Sequence, residues 1–140
     1  DSFISMNGLI DSNVFIAVWH TRDQYAAHAS AILEAFAEGK IEILYTTNYV
    51  IVETVNFLLR KTTFDVALQA YEYMTMTDRL KVIYCDKLSD DSAALLFVRH
   101  KNLTITDCSL IIAGRMKNIK NIFSFDKGFD AVGMHRLETF

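Results

Sequence analysis

Four acids stand at points where a carboxylate could do chemistry: Asp11 in GLIDSNVFIA, Glu53 in NYVIVETVNFLLRK, Asp107 in ITDCSLIIAGR and Asp126 in SFDKGFD. Carboxylates gathered in one pocket repel each other, so such a pocket is stable chiefly when it holds hard cations. Oxygen ligands suit Mg2+ or Mn2+. His20, His28, His100 and His135 have no ligand spacing, and no His or Cys cluster points to zinc. A divalent ion held this way keeps several waters, can activate one as a nucleophile and can neutralise a phosphate. Hydrolysis of a phosphodiester is the natural chemistry of that arrangement.

Each acid has a structural alternative, that of Glu53 being a plain surface glutamate if its helix face is exposed. Asp11 can cap a helix starting near Val14, although Ser12 or Asn13 would serve as well. Asp126-Lys127-Gly128 can be a turn. Asp107 stands at a helix start, where capping is the default. Glu53 is the most informative. At ~100° per residue, Tyr49, Val50 and Phe57 flank it on its own helix face, and no Lys or Arg stands three or four residues away. Charging a carboxylate in such surroundings is costly without a cation or donors.

The elements that must position these acids are legible as an alternation. Apolar, β-rich runs over 6–10, 41–45, 80–85 and 121–125 read as strands, and 135–139 as one more short strand. Helical periodicity covers 24–38, 49–61, 64–77, 89–101 and 108–117, the last capped by Thr106-Asp107. Strands alternating with helices indicate a three-layer α/β/α domain with a mainly parallel central sheet. Asp11 and Asp126 each follow a strand directly, so they share one edge of that sheet. Ligands of such sheets gather outside the carboxyl ends of the strands.

With 140 residues, 51% hydrophobic and 22% charged, the chain suits one globular domain,. That domain is expected over 6–140, residues 1–5 being read as appended by expression because MNGLID starts cleanly at Met6. No apolar run approaches the ~18–20 residues of a membrane span, and Cys85 and Cys108 form no C-x-x-C pair. A cytoplasmic protein without a membrane partner is the expectation. The net charge of -3 supplies no global positive field for nucleic acid,. Arg99, Lys101, Arg115, Lys117, Lys120, Lys127 and Arg136 nevertheless crowd the last third. They form either an ordinary solvated face or, if nearby acids hold a cation, a local basic rim.

In the order LIDSNVFIAV, VIVETVNFL, TITDCSLIIAGR and IFSFDKGFDAVG, the chain from Met6 onward resembles the PIN-domain nucleases, and within them the VapC-like toxins of prokaryotic toxin–antitoxin pairs. The resemblance implies a metal-dependent ribonuclease whose catalytic, metal-holding quartet is Asp11, Glu53, Asp107 and Asp126, with Mg2+ or Mn2+ as cofactor. It implies that Asn13 and Thr106 support the acids by hydrogen bonding. Asp130 is open between an auxiliary ligand and a surface acid. RNA as substrate, a homodimer and a small antitoxin partner also follow from the resemblance alone. RNA contact would then rest on Arg115, Lys117, Lys120 and Lys127. Trp19, Tyr45, Tyr49 and the many Phe residues are assigned to the core or a dimer surface rather than to base stacking. A catalytically inactive PIN-like binding module is the alternative. A phosphoacceptor signalling domain is a weaker one, because Asp11-Ser12-Asn13 supplies a single acid and the strand over 41–45 ends in threonines.

Overall fold

In the structure, a computed structural model that describes residues 6–140, β1 (Met6–Ile10) lies at the middle of a five-stranded sheet. The other strands are β2 (Ile41–Thr47), β3 (Leu80–Ile83), β4 (Asn121–Phe123) and β5 (His135–Leu137), in the order β3-β2-β1-β4-β5. Every pairing is parallel, including that of the short tail strand. The expectation for residues 1–5 lies outside the described residues.

The crossovers are filled by α1 (Ser12–Trp19) and α2 (Ala26–Ala37), then α3 (Asn48–Lys61) and α4 (Phe64–Met76), then α5 (Lys87–Arg99) and α6 (Ile105–Lys117), with a 3₁₀ turn at Lys127–Val132. From β1 the chain steps outward to β2 and β3, then returns past β1 to β4. Right-handed crossovers therefore put α1–α4 on one face and α5–α6 on the other. The packing agrees: α1 lies against α2, α3 and α4, whereas α5 lies against α6. Leu9, Ile10, Phe15, Ile32, Leu44, Leu110 and Phe123 form the core between the layers, all fully buried. Among the described residues no helix is long and apolar enough to cross a membrane.

Two features hold the site-bearing elements in place. Helix α6 is buried without interruption from Asp107 to Gly114, as its apolar sequence requires. It reaches β1 closely at Gly114, where a Cβ would stand 2.6 Å from Leu9 Cδ1 and 3.0 Å from the Ile119 carbonyl.

Some boundaries differ from the sequence reading. The first helix begins at Ser12, directly after Asp11, instead of near Val14. Strand β3 stops at Ile83, and the Cys85 N–H turns to Asn48 Oδ1 at 2.8 Å. The largest difference is in α6, which starts at Ile105 because Thr104 caps it. Thr104 Oγ1 accepts the Asp107 N–H at 3.1 Å and the Asp107 carboxylate accepts the Thr104 N–H at 2.9 Å, a reciprocal capping box,. The expected cap, Thr106-Asp107, is instead the first turn of the helix.

Candidate metal centre

The strand order reverses between β1 and β4, and a crevice outside the carboxyl ends of strands at such a reversal is where open α/β sheets bind ligands. Asp11 leaves β1 at this point, its N–H bonded to the Phe123 carbonyl of β4 at 3.1 Å. It caps α1, accepting the Ser12 N–H at Oδ1 at 2.8 Å. Its other oxygen, Oδ2, accepts Ser124 Oγ–H at 2.9 Å and the Asn13 amide at 3.2 Å. Capping and site-building are thus done by one side chain.

Ser124 joins the two strand ends. Besides donating to Asp11, its Oγ accepts the Asp126 N–H at 3.0 Å and the Asn13 amide at 3.1 Å. Asn13 Oδ1 in turn accepts the Phe125 N–H at 3.2 Å. Asp126 itself accepts the Gly128 N–H at 2.9 Å, so the Asp-Lys-Gly turn exists and still leaves the acid at the sheet edge.

Glu53 comes in from α3, where it is half-buried and accepts a short hydrogen bond from Ser12 Oγ. Its helix neighbours serve other contacts: the Tyr49 hydroxyl donates to Asp90 at 2.8 Å, and Phe57 meets the His20 ring edge-on at 5.9 Å. Asp107, buried in the first turn of α6, is held by Thr104. Thr106, expected to support it, contributes only its carbonyl, which accepts Ser109 Oγ–H at 2.6 Å. Ser12, Thr104 and Ser124 are the hydroxyls that sequence reasoning missed.

The electrostatics tie the acids together. Burial, then Asp107 and Glu53, push the Asp11 carboxyl up to about 8, against the hydrogen bonds from Ser124 and Ser12. Burial pushes Asp107 up to about 6, with Asp126 and Glu53 adding to the rise against the Thr104 hydrogen bonds. Among the described residues no Lys or Arg pairs with any of the four acids. Nor does any donor there reach Asp107 Oδ1, Asp126 Oδ2 or Glu53 Oε1. An all-oxygen set with unspent acceptors and mutual repulsion fits a hard divalent cation. As the side chains stand, no three His, Cys, Asp or Glu residues among those described gather tightly enough to hold an ion, so the carboxylates would have to close on one.

The other expected residues divide by position. Lys127, next to Asp126, lines a cleft of about 460 Å³ with Arg99, His100 and Lys101. Arg115, Lys117 and Lys120 belong to the far end of α6 and the approach to β4. Lys117 lies ten residues beyond Asp107, ~15 Å along the helix axis, so the structure does not bring these three to the acids. Asp130 is exposed and bound by Arg136, Nε to Oδ1 at 3.0 Å, which holds its carboxyl below the usual range.

A PIN domain family model matches residues 8–134. Among solved structures, the chain is similar to VapC20 of Mycobacterium tuberculosis, a Sarcin-Ricin loop cleaving toxin, with 22% identity over 90% of this chain and 95% of that one and a TM-score of 0.79. It is similar to VapBC2 of Rickettsia felis bound to a promoter DNA fragment, with 10% identity over 94% and 98% of the chains and a TM-score of 0.68. A toxin–antitoxin complex from Klebsiella pneumoniae matches with 13% identity over 95% and 98% and a TM-score of 0.66. At these identities the likeness is one of fold. No curated protein matches the chain.

Proposed function

The chain belongs to the PIN domain family, and on that premise we propose that it is a metal-dependent endoribonuclease of the VapC-like toxin kind. The observation that carries this reading is geometric: Asp11 lies buried where the strand order reverses, shares Ser124 with Asp126, and is followed by Ser12, which holds Glu53, with no Lys or Arg paired to any of these acids among the described residues. Asp11, Glu53, Asp107 and Asp126 would hold Mg2+ or Mn2+. Bound there, such an ion supplies a Lewis acid for the phosphate and an acidified water.

The chain's own residues do the positioning. Ser124 and Asn13 fix Asp11 relative to Asp126, Ser12 orients Glu53, and Thr104 orients Asp107. Lys127, Arg99 and Lys101 would take the flanking phosphates, since a basic rim attracts a polyanion irrespective of sequence. The structural neighbours that are toxin–antitoxin complexes support a small antitoxin as partner. A homodimer in the cytoplasm completes the reading.

The test is cleavage of total RNA by the purified protein in Mn2+ or Mg2+ against a chelator control. Wild-type protein is expected to cut only with metal, and folded Asp11→Asn and Glu53→Gln proteins to fall to the chelator level. Metal binding without cleavage would favour the inactive module. Full cleavage by folded Asp11→Asn would overturn the assignment of the acids.

A further inference from the structure

Asp126 is a shared wall of two clefts of opposite character. The first is the cationic one bounded by Arg99, Lys101 and Lys127. The second, of about 470 Å³, is lined by His20, Tyr25, Phe57 and Phe125 together with Asn13, and no Lys or Arg lines it. Its volume falls within the range of about 300–1,000 Å³ found for small-ligand sites. Its rings are tied to the acid site through the chain: Phe125 precedes Asp126, and Phe57 follows Glu53 by one helical turn.

These rings are partly buried: Tyr25, Phe57 and Phe125 pack on the core, and each keeps some exposed surface, as does His20. Tyr25 and Phe125 stack nearly parallel, with centroids 4.4 Å apart at 13°. The Tyr25 N–H is held by Asp23 at 2.8 Å and the Phe125 N–H by Asn13 at 3.2 Å. Asp23 and Asp126 on the cleft wall, with no Lys or Arg in its lining, disfavour a phosphate there. A single RNA strand presents two chemistries in alternation, anionic phosphates and flat bases. Stacking of one base on an aromatic ring is worth about 5- to 150-fold in affinity and tolerates any base.

We propose that the aromatic cleft holds one nucleobase beside the phosphodiester placed at the acids, while the strand continues over Lys127, Lys101 and Arg99. This rests on the reading of the acids as a phosphodiester-cleaving site.

The test begins with a random-sequence RNA pool digested in Mn2+, with product ends sequenced to find a cut RNA. That RNA is then synthesised with a single abasic residue at each position flanking the cut. One position is expected to lower kcat/KM by about 5- to 150-fold when its base is absent. Tyr25→Leu and His20→Leu are expected to shrink that intact-to-abasic ratio toward one. Because the ratio is internal, a partly unfolded variant does not mimic the effect. Lys101→Gln is expected to weaken both substrates alike. If the RNA is cut and every abasic substrate is cut as well as the intact one, the base site is overturned and the nuclease reading stands. An abasic penalty that both aromatic variants leave unchanged also overturns it. If no RNA in the pool is cut, both readings fall.

Discussion

Asp11 is buried to 2% exposure and caps α1, and it is the first of the acids proposed to hold the cation. Its elevated pKa makes the metal-free protein sensitive to pH in a definite direction. The folded chain binds this proton more tightly than the unfolded one, whose carboxyl has the ordinary value of 3.8. Stability from this group is therefore full below about pH 4 and lost as pH rises toward about 8. In chelator, Tm should fall between about pH 5 and about pH 8, and Asp11→Asn should flatten that fall; a wild-type Tm that rises over this window would refute the sign. The supporting hydroxyls carry a second prediction. Ser124→Ala strips the bridge between Asp11 and Asp126 and should weaken Mn2+ binding or cleavage by about 10- to 100-fold, with the fold retained by circular dichroism. The candidate acids drew attention in the sequence chiefly because Asp11 and Glu53 interrupt apolar runs. Ser124 and Ser12 did not, since a small hydroxyl beside an acid looks the same whether it points at the site or at solvent. The resemblance pointed to Thr106, whereas the cap of α6 puts Thr104 against Asp107.

At the scale of elements, the alternation of strands and helices was legible because each strand is short, apolar and bounded by polar residues. The start of α6 was also readable in retrospect: Thr104-Ile105-Thr106-Asp107 has the spacing of a capping box, a signal masked by the second threonine inside it,. Arg115 and Lys117 ride up α6 away from Asp107, and Lys120 follows the helix on the approach to β4, whereas Lys127 stands next to Asp126,. The contact between α6 and β1 links both ends of the site, because β1 delivers Asp11 and α6 delivers Asp107. Gly114→Val would force a β-branched side chain into Leu9 and the Ile119 carbonyl. A loss of about 1–3 kcal/mol in denaturant unfolding is expected, as for overpacked cores. A variant as stable as wild type would show that α6 can shift without cost.

At the scale of the whole molecule, the topology explains why acids so far apart in sequence come to one edge of the sheet. β1 and β4 are neighbours although over a hundred residues separate them, and the crossovers between them deliver α3 and α6 to the same edge. The net charge of -3 conceals this organisation, since the acids, the basic rim and the aromatic cleft are segregated around Asp126. The central claim is that the acids act as one divalent-cation site. Calorimetric titration of Mn2+ into the purified protein, with Asp11→Asn and Glu53→Gln alongside, tests it most directly. Wild-type protein should bind Mn2+ and gain about 2.7 kcal/mol of stability at a hundredfold excess over Kd, while both variants bind much more weakly. A folded wild-type protein that takes up no Mn2+, or variants that bind as tightly as it does, would contradict the claim.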